Sequence, residues 1–311
     1  MSSSSPDVKT ISRFFLHLFK EKNLDPGTIQ GYRAALSNCL YGKVHWDISH
    51  DTDLTRLIES FFKERPKIGK LIPPWDLRVV LHALTQAPFE PLALAPIKWL
   101  TYKTCFLVAL ASGKRRSELH ALLHRRVRFA DKWARVVLEP SNRFLAKNQL
   151  ARDGTQVLQP IVIQSLSKSL SPELKDDKLL CPVRALLYYL DRTSSIRGQR
   201  ELLFISMRPN ATKEIAKSTI SSWLIQTIRQ CLAKCSEDTA RLANVRAHDI
   251  RALAASWAFK HSVPLDDIMR ACSWKAHDTF TSFYLKDVSL TSTEGTISLG
   301  PVVAAQQVLS L

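Results

Sequence analysis

Residues 248–284 read HDIRALAASWAFKHSVPLDDIMRACSWKAHDTFTSFY, and the spacing within this stretch decides how the rest of the chain is read. His248 and Arg251 stand three positions apart, which places both on one face of a helix. Leu253, Ala254, Trp257 and Ala258 follow at steps of three and four, the pattern of a helix with a buried face that carries the polar pair at its start. Pro264 ends that helix and opens another, because the N–H that proline lacks has no intrahelical partner in a first turn. Asp266 and Asp267 suit the positive end of the new helix. A third short amphipathic run, Thr279 to Leu285, carries Tyr284, with Phe280 and Phe283 as its core-facing aromatics.

Far upstream stands Ser112-Gly113-Lys114-Arg115-Arg116-Ser117-Glu118-Leu119. A small residue, a glycine, a variable position, an arginine, another variable position, a serine and a glutamate here resemble the first arginine motif of the tyrosine recombinase (phage integrase) family. The His248-x-x-Arg251 helix and the downstream Tyr284 resemble that family's second motif and its nucleophile, and the separation of the two blocks is right for it. The resemblance covers about Lys9 to Asp287. It implies a mainly α fold with a small antiparallel β-sheet, a helical core-binding domain preceding a tyrosine-recombinase catalytic domain, and a C-shaped clamp around duplex DNA.

The resemblance also implies a chemistry. A phosphodiester carries charge that must be neutralised as it builds in the transition state, and the planar forks of two arginines match phosphate geometry. Arg115 and Arg251 would form this clamp, with His248 donating a hydrogen bond or taking part in proton transfer. Tyr284 would attack phosphorus to give a 3′-phosphotyrosine and a free 5′-hydroxyl, conserving bond energy without ATP. Lys147, on a loop of the sheet, would protonate the departing oxygen, and Glu118 would orient the arginines. The family usually places a His or Trp nine residues before the nucleophile. Here that position is Lys275, with Trp274 ten before and His277 seven before; Trp274 can supply an indole N–H, and Lys275 could contact the same oxygen. No cofactor and no metal is implied. The partner is double-stranded DNA, on which a homo-tetramer would assemble. The ASGKRRSELHAL and ACSWKAHDTFTSFYL segments look most like recombinases of eukaryotic mobile elements, such as tyrosine-recombinase retrotransposons, which would place the protein in the nucleus.

Composition sets limits on this reading. The chain has 311 residues, with 44 Lys and Arg against 28 Asp and Glu, a net charge of +16. So large an excess points to a polyanionic partner. The N-terminus has no positive leader ahead of an apolar run, no stretch is long and apolar enough to span a bilayer, and no isolated basic amphipathic helix suggests membrane anchoring. Cys39, Cys105, Cys181, Cys231, Cys235 and Cys272 include no C-x-x-C pair and read as reduced core residues of an intracellular protein.

In chain order, residues 1–8 read as a disordered tail. Residues 9–85 read as a helical DNA-binding domain, with helices over Ile11 to Lys20, from Asp25-Pro26 to Leu40, over Asp53 to Arg65 and over Trp75 to Thr85. Lys63, Arg65, Lys67 and Lys70 form a basic stretch within it, and these, with Arg116 and Arg143, are the candidate DNA contacts. Pro88, Pro91 and Pro96 mark 86–96 as a linker. Residues 97–290 form the second domain, and 291–311 a tail. Ile97 to Ala111 is an apolar helix that delivers Gly113 and Arg115; the next helix, from Ser117, carries His120 and His124 at i, i+4 in a surface or packing role. Val127 to Phe129 and Ala134 to Leu138 read as a hairpin, with a third strand over Val157 to Ile163. Helices over Cys181 to Leu190 and Ile220 to Leu232 read as scaffold. A type IB topoisomerase and a decayed DNA-binding module without cleavage activity are the alternatives to a recombinase.

Overall fold

The computed structural model describes residues 6–66, 75–145, 160–166, 178–208, 210–234, 245–274 and 276–286. These fall into two compact units, residues 1–69 and 70–311, each with its own hydrophobic core.

The first unit holds α1 (Val8–Lys20), α2 (Pro26–Leu40) and α3 (Thr52–Glu64). Each begins on an aspartate whose carboxylate accepts a backbone N–H at 2.8 Å: Asp7 from Thr10, Asp25 from Gly27 and Asp51 from Leu54. Such side chains satisfy first-turn donors that have no partner within the helix. Asp7 in this role starts α1 at Val8, inside the segment expected to be a disordered tail. Phe15, Phe19, Ile29, Leu54, Ile58 and Phe61 are buried between the helices, and Phe19 stacks on Phe61 with ring centroids 4.2 Å apart. The Arg65 guanidinium lies 3.8 Å from the Phe19 ring centre. Cys39, expected in the core, is exposed on α2.

The second unit holds α4 (Leu77–Leu84), α5 (Ile97–Ser112), α6 (Arg116–His120), β1 (Leu122–Ala130), β2 (Arg135–Pro140), β3 (Ile161–Gln164), α7 (Pro182–Arg197), α8 (Lys217–Ala233), α9 (Ala247–Lys260), α10 (Leu265–Ala271) and α11 (His277–Phe283). Helix α5 is its centre: every residue from Leu100 to Ser112 is buried. The three strands form one antiparallel sheet in the order β1-β2-β3, with Val127 opposite Leu138 and Leu138 opposite Ile161. Among the described residues no helix is long and apolar enough to cross a membrane.

Three expectations are corrected here. The units divide between residues 69 and 70, not across 86–96. Helix α4 packs Leu77, Val80, Leu81 and Leu84 into the second core, against α8. The segment 86–96 is a packed part of that core rather than a linker. Phe89 and Leu92 are fully buried, and Glu90 takes a 2.5 Å contact from Lys103 of α5 and a paired contact from Arg184 of α7 at 2.7 and 3.0 Å. The turn sends Phe89, Leu92 and Ala95 inward and leaves Pro91, Leu94 and Pro96 exposed. His124 is not on a helix with His120: α6 stops after five residues, and His124 lies in β1. His120 Nε2 bonds the Ile215 carbonyl at 2.7 Å, and His124 Nδ1 bonds the Glu201 carbonyl at 3.0 Å.

Candidate active site

The C-terminus of α5 shows why the Ser112-Gly113 pair matters. Gly113 caps the helix in the left-handed conformation, φ +58°, where a glycine is favoured. A Cβ at this position would lie 2.9 Å from Cys272 Sγ. The glycine therefore serves a tight turn and a close approach at once. It turns the chain so that Lys114 and Arg115 leave α5 beside the turn that follows α10.

Arg251, in the first half of α9, joins these two loops. It is 2 % exposed; Nη1 donates to the Gly113 carbonyl at 2.6 Å and Nη2 donates to the Cys272 carbonyl. Burial pulls its pKa below the usual arginine value, which a guanidinium withstands without losing charge. Its Nε is buried and has no partner among the described residues. Glu118 is the carboxylate of this cluster. It stands 3.9 Å from Arg251, 4.0 Å from Arg115 and 4.0 Å from Lys114, and Oε2 accepts the Arg115 backbone N–H at 2.8 Å. Three cations around one carboxylate leave the cluster with a net positive charge.

Tyr284 closes the site, at the end of α11. Its hydroxyl and His248 Nε2 share a hydrogen bond of 2.7 Å. Its backbone is pinned: the Tyr284 carbonyl accepts from Ser256 Oγ at 3.2 Å, and the same hydroxyl oxygen accepts the Lys286 N–H at 2.8 Å. The Trp274 ring lies 4.5 Å from the Tyr284 ring, and the Arg251 guanidinium lies over both aromatic faces, 4.6 Å from Trp274 and 5.6 Å from Tyr284. Trp274 is buried, and its indole N–H has no partner among the described residues. His277 turns elsewhere, with Nε2 3.1 Å from Asp266.

Of the residues singled out in the sequence, Arg115, Glu118, His248, Arg251, Trp274 and Tyr284 thus come together. Arg116 is exposed and donates to Ser221 Oγ at 3.1 Å. Arg143 is exposed just beyond β2, and Lys63 and Arg65 belong to the first unit. Lys67, Lys70, Lys147 and Lys275 lie outside the described residues, as do Cys235 and the side chain of Phe283; Phe280 is buried, as its spacing required.

A cleft of about 530 Å³ adjoins the cluster, lined by Lys114, Arg115, Arg116, Lys217, Arg246, His248 and Arg251 among others. Six cations and a histidine around one opening favour a polyanion. Sequence reading missed Lys114, Lys217 and Arg246. Lys114 was visible within the arginine block but at a position read as variable, and Arg246 sits two residues before His248. Lys217, at the start of α8, had no local signal.

No protein-family model and no curated protein matches the chain. Solved structures do. A fragment of lambda integrase, solved as a dimer bound to a COC′ core site, is 15 % identical with a TM-score of 0.50, over 96 % of this chain and 86 % of that one. A second lambda integrase dimer on a COC′ core site is 15 % identical with a TM-score of 0.49, over 96 % of this chain and 69 % of that one. XerA recombinase is 17 % identical with a TM-score of 0.42, over 92 % and 90 %. The likeness to the first shows the fold: mainly α with a small antiparallel sheet, as in lambda integrase.

Proposed function

We propose that this chain is a site-specific DNA recombinase that breaks and rejoins duplex DNA through a 3′-phosphotyrosine on Tyr284. The observation that carries the reading is the 2.7 Å hydrogen bond between the Tyr284 hydroxyl and His248 beside the buried Arg251 and the half-buried Arg115 that Glu118 joins. A nucleophile needs a group to take its proton and a counter-charge for the phosphate it attacks. In this proposal His248 Nε2 accepts the Tyr284 proton as Oη bonds to phosphorus. The bond from phosphorus to the 5′ oxygen breaks, and Lys147 supplies the proton that makes it a hydroxyl. Rejoining reverses these steps with an incoming 5′-hydroxyl. Arg115 offers its guanidinium to the nonbridging oxygens, with Glu118 keeping the arginines oriented. The N–H groups of Trp274 and Arg251 that have no partner among the described residues are the donors that suit an anion held there, and Lys275 is a second candidate for the Trp274 role. The cationic cleft is the surface offered to the DNA backbone, and Arg143, Lys63, Arg65, Lys67 and Lys70 are further contacts. Assembly as a homo-tetramer on paired DNA sites belongs to the same proposal.

The test is a nicked duplex carrying candidate sites, incubated with the protein and then denatured. A covalent protein–DNA band leaving a 5′-hydroxyl is expected for the wild type and none for Tyr284→Phe. Salt-sensitive binding without a band at any site would make this a binding module; relaxation of supercoiled DNA that needs no defined site would make it a topoisomerase.

A further inference from the structure

Lys114 occupies the position between Gly113 and Arg115, and its side chain is only 8 % exposed. A buried ammonium needs partners. Its carboxylate neighbour, Glu118, is 4.0 Å away, beyond hydrogen-bonding reach. The hydrogen bond that Nζ makes goes to Ser273 Oγ at 2.9 Å. Ser273 has φ +50°, a left-handed conformation that a residue with a Cβ rarely adopts and that persists where its surroundings hold it. Its N–H bonds back to the Arg270 carbonyl at 3.0 Å, and the Trp274 N–H bonds to the Met269 carbonyl at 2.9 Å, so the turn is closed onto α10. The Arg251 guanidinium already ties residue 113 to residue 272. The Lys114–Ser273 bond ties the next residue on each side, directly before Trp274.

We propose that Lys114 is a positioning residue for Trp274: its ammonium locks the turn Cys272–Ser273–Trp274 against the loop after α5, and so fixes the indole beside Arg251 and Tyr284. The second arm of the test below rests on the proposed strand transfer; the first does not.

The first arm labels the full chain with 5-fluorotryptophan and identifies the Trp274 line in the ¹⁹F spectrum by its loss in Trp274→Phe. Lys114→Met and Ser273→Ala, which break the bond from either side, are each expected to shift or broaden that line, and Lys114→Arg to do so less. A Trp274 line that neither variant moves overturns the proposal. Ser273→Ala decides the matter if Lys114→Met does not fold. The second arm measures single-turnover cleavage of the nicked duplex. Lys114→Met is expected to slow cleavage about ten- to a hundredfold through misplacement of a donor. In a Trp274→Phe background the same substitution should cost no more than about twofold, because coupled residues are non-additive. Full additivity overturns the proposal, since it makes Lys114 a direct phosphate ligand. A wild type that forms no covalent product defeats the strand-transfer reading alone, and the spectrum still decides the role of Lys114.

Discussion

Gly113 shows what a single residue decides in this site. Its positive φ ends α5, its missing Cβ admits Cys272 Sγ, and its carbonyl receives Arg251. Gly113→Ala should therefore destabilise the fold by more than about 1 kcal/mol, since it adds both backbone strain and a clash. Urea unfolding would show the midpoint fall, and Cys272→Ala should recover the part due to the clash but not the part due to φ. A Gly113→Ala midpoint equal to wild type would refute this account of the turn. Arg251 illustrates the complementary case. Its i, i+3 relation to His248 was legible in the sequence, but the carbonyls of Gly113 and Cys272 that it binds lie 138 and 21 residues away in the chain. Pattern could place it on a helix face and not say what it holds.

At the scale of elements, α5 is fastened to its neighbours by an ionic group inside the core. Lys103 on α5 donates to the Leu84 carbonyl of α4 at 2.6 Å and to Glu90, and Glu90 also holds Arg184 of α7. Removing the shared carboxylate leaves two cations facing each other, and Glu90→Ala should cost about 3–5 kcal/mol. Lys103→Met keeps the Glu90–Arg184 pair and should change stability by only about 1 kcal/mol. Burial pulls Lys103 down to about 8, against the support of Glu90 and with Arg184 opposing its charge. The sign follows from proton binding. Between about 8 and 10.5 the unfolded chain keeps this proton and the folded chain has released it, so this group makes stability rise with pH across that window. Urea titrations should show wild type gaining on Lys103→Met from pH 8 to pH 10.5; no relative gain would mean that Lys103 keeps its proton in the fold. Helix starts at Asp7, Asp25 and Asp51 were legible because a cap is a local device. The packed state of 86–96 was not, because proline reports a break in regular structure and says nothing about whether the break is buried.

Across the whole molecule, charge is the property that reaches furthest. A net charge of +16 and a cleft rimmed by Arg116, Lys217 and Arg246 predict duplex binding that weakens steeply with salt. Each phosphate neutralised contributes about 0.9 to the slope of log affinity against log salt. Replacing Arg116, Lys217 and Arg246 together with Gln should lower that slope by up to about 3 and weaken binding uniformly across sequences. Fluorescence anisotropy over a salt series measures it, and an unchanged slope would show that DNA does not use this cleft.

The sequence by itself determined the charge and most of the helices, and it singled out six residues that the fold brings together in the candidate site, because periodicity, capping and motif spacing are properties of neighbours in the chain. It could not determine where the two units divide, that His124 belongs to a strand, that Phe89, Leu92 and Ala95 join the core, or that Lys114 reaches Ser273. Those depend on surfaces and hydrogen-bonding groups brought together from distant segments, and a burial cost such as that of an ammonium appears only when the partner that offsets it has been folded into place.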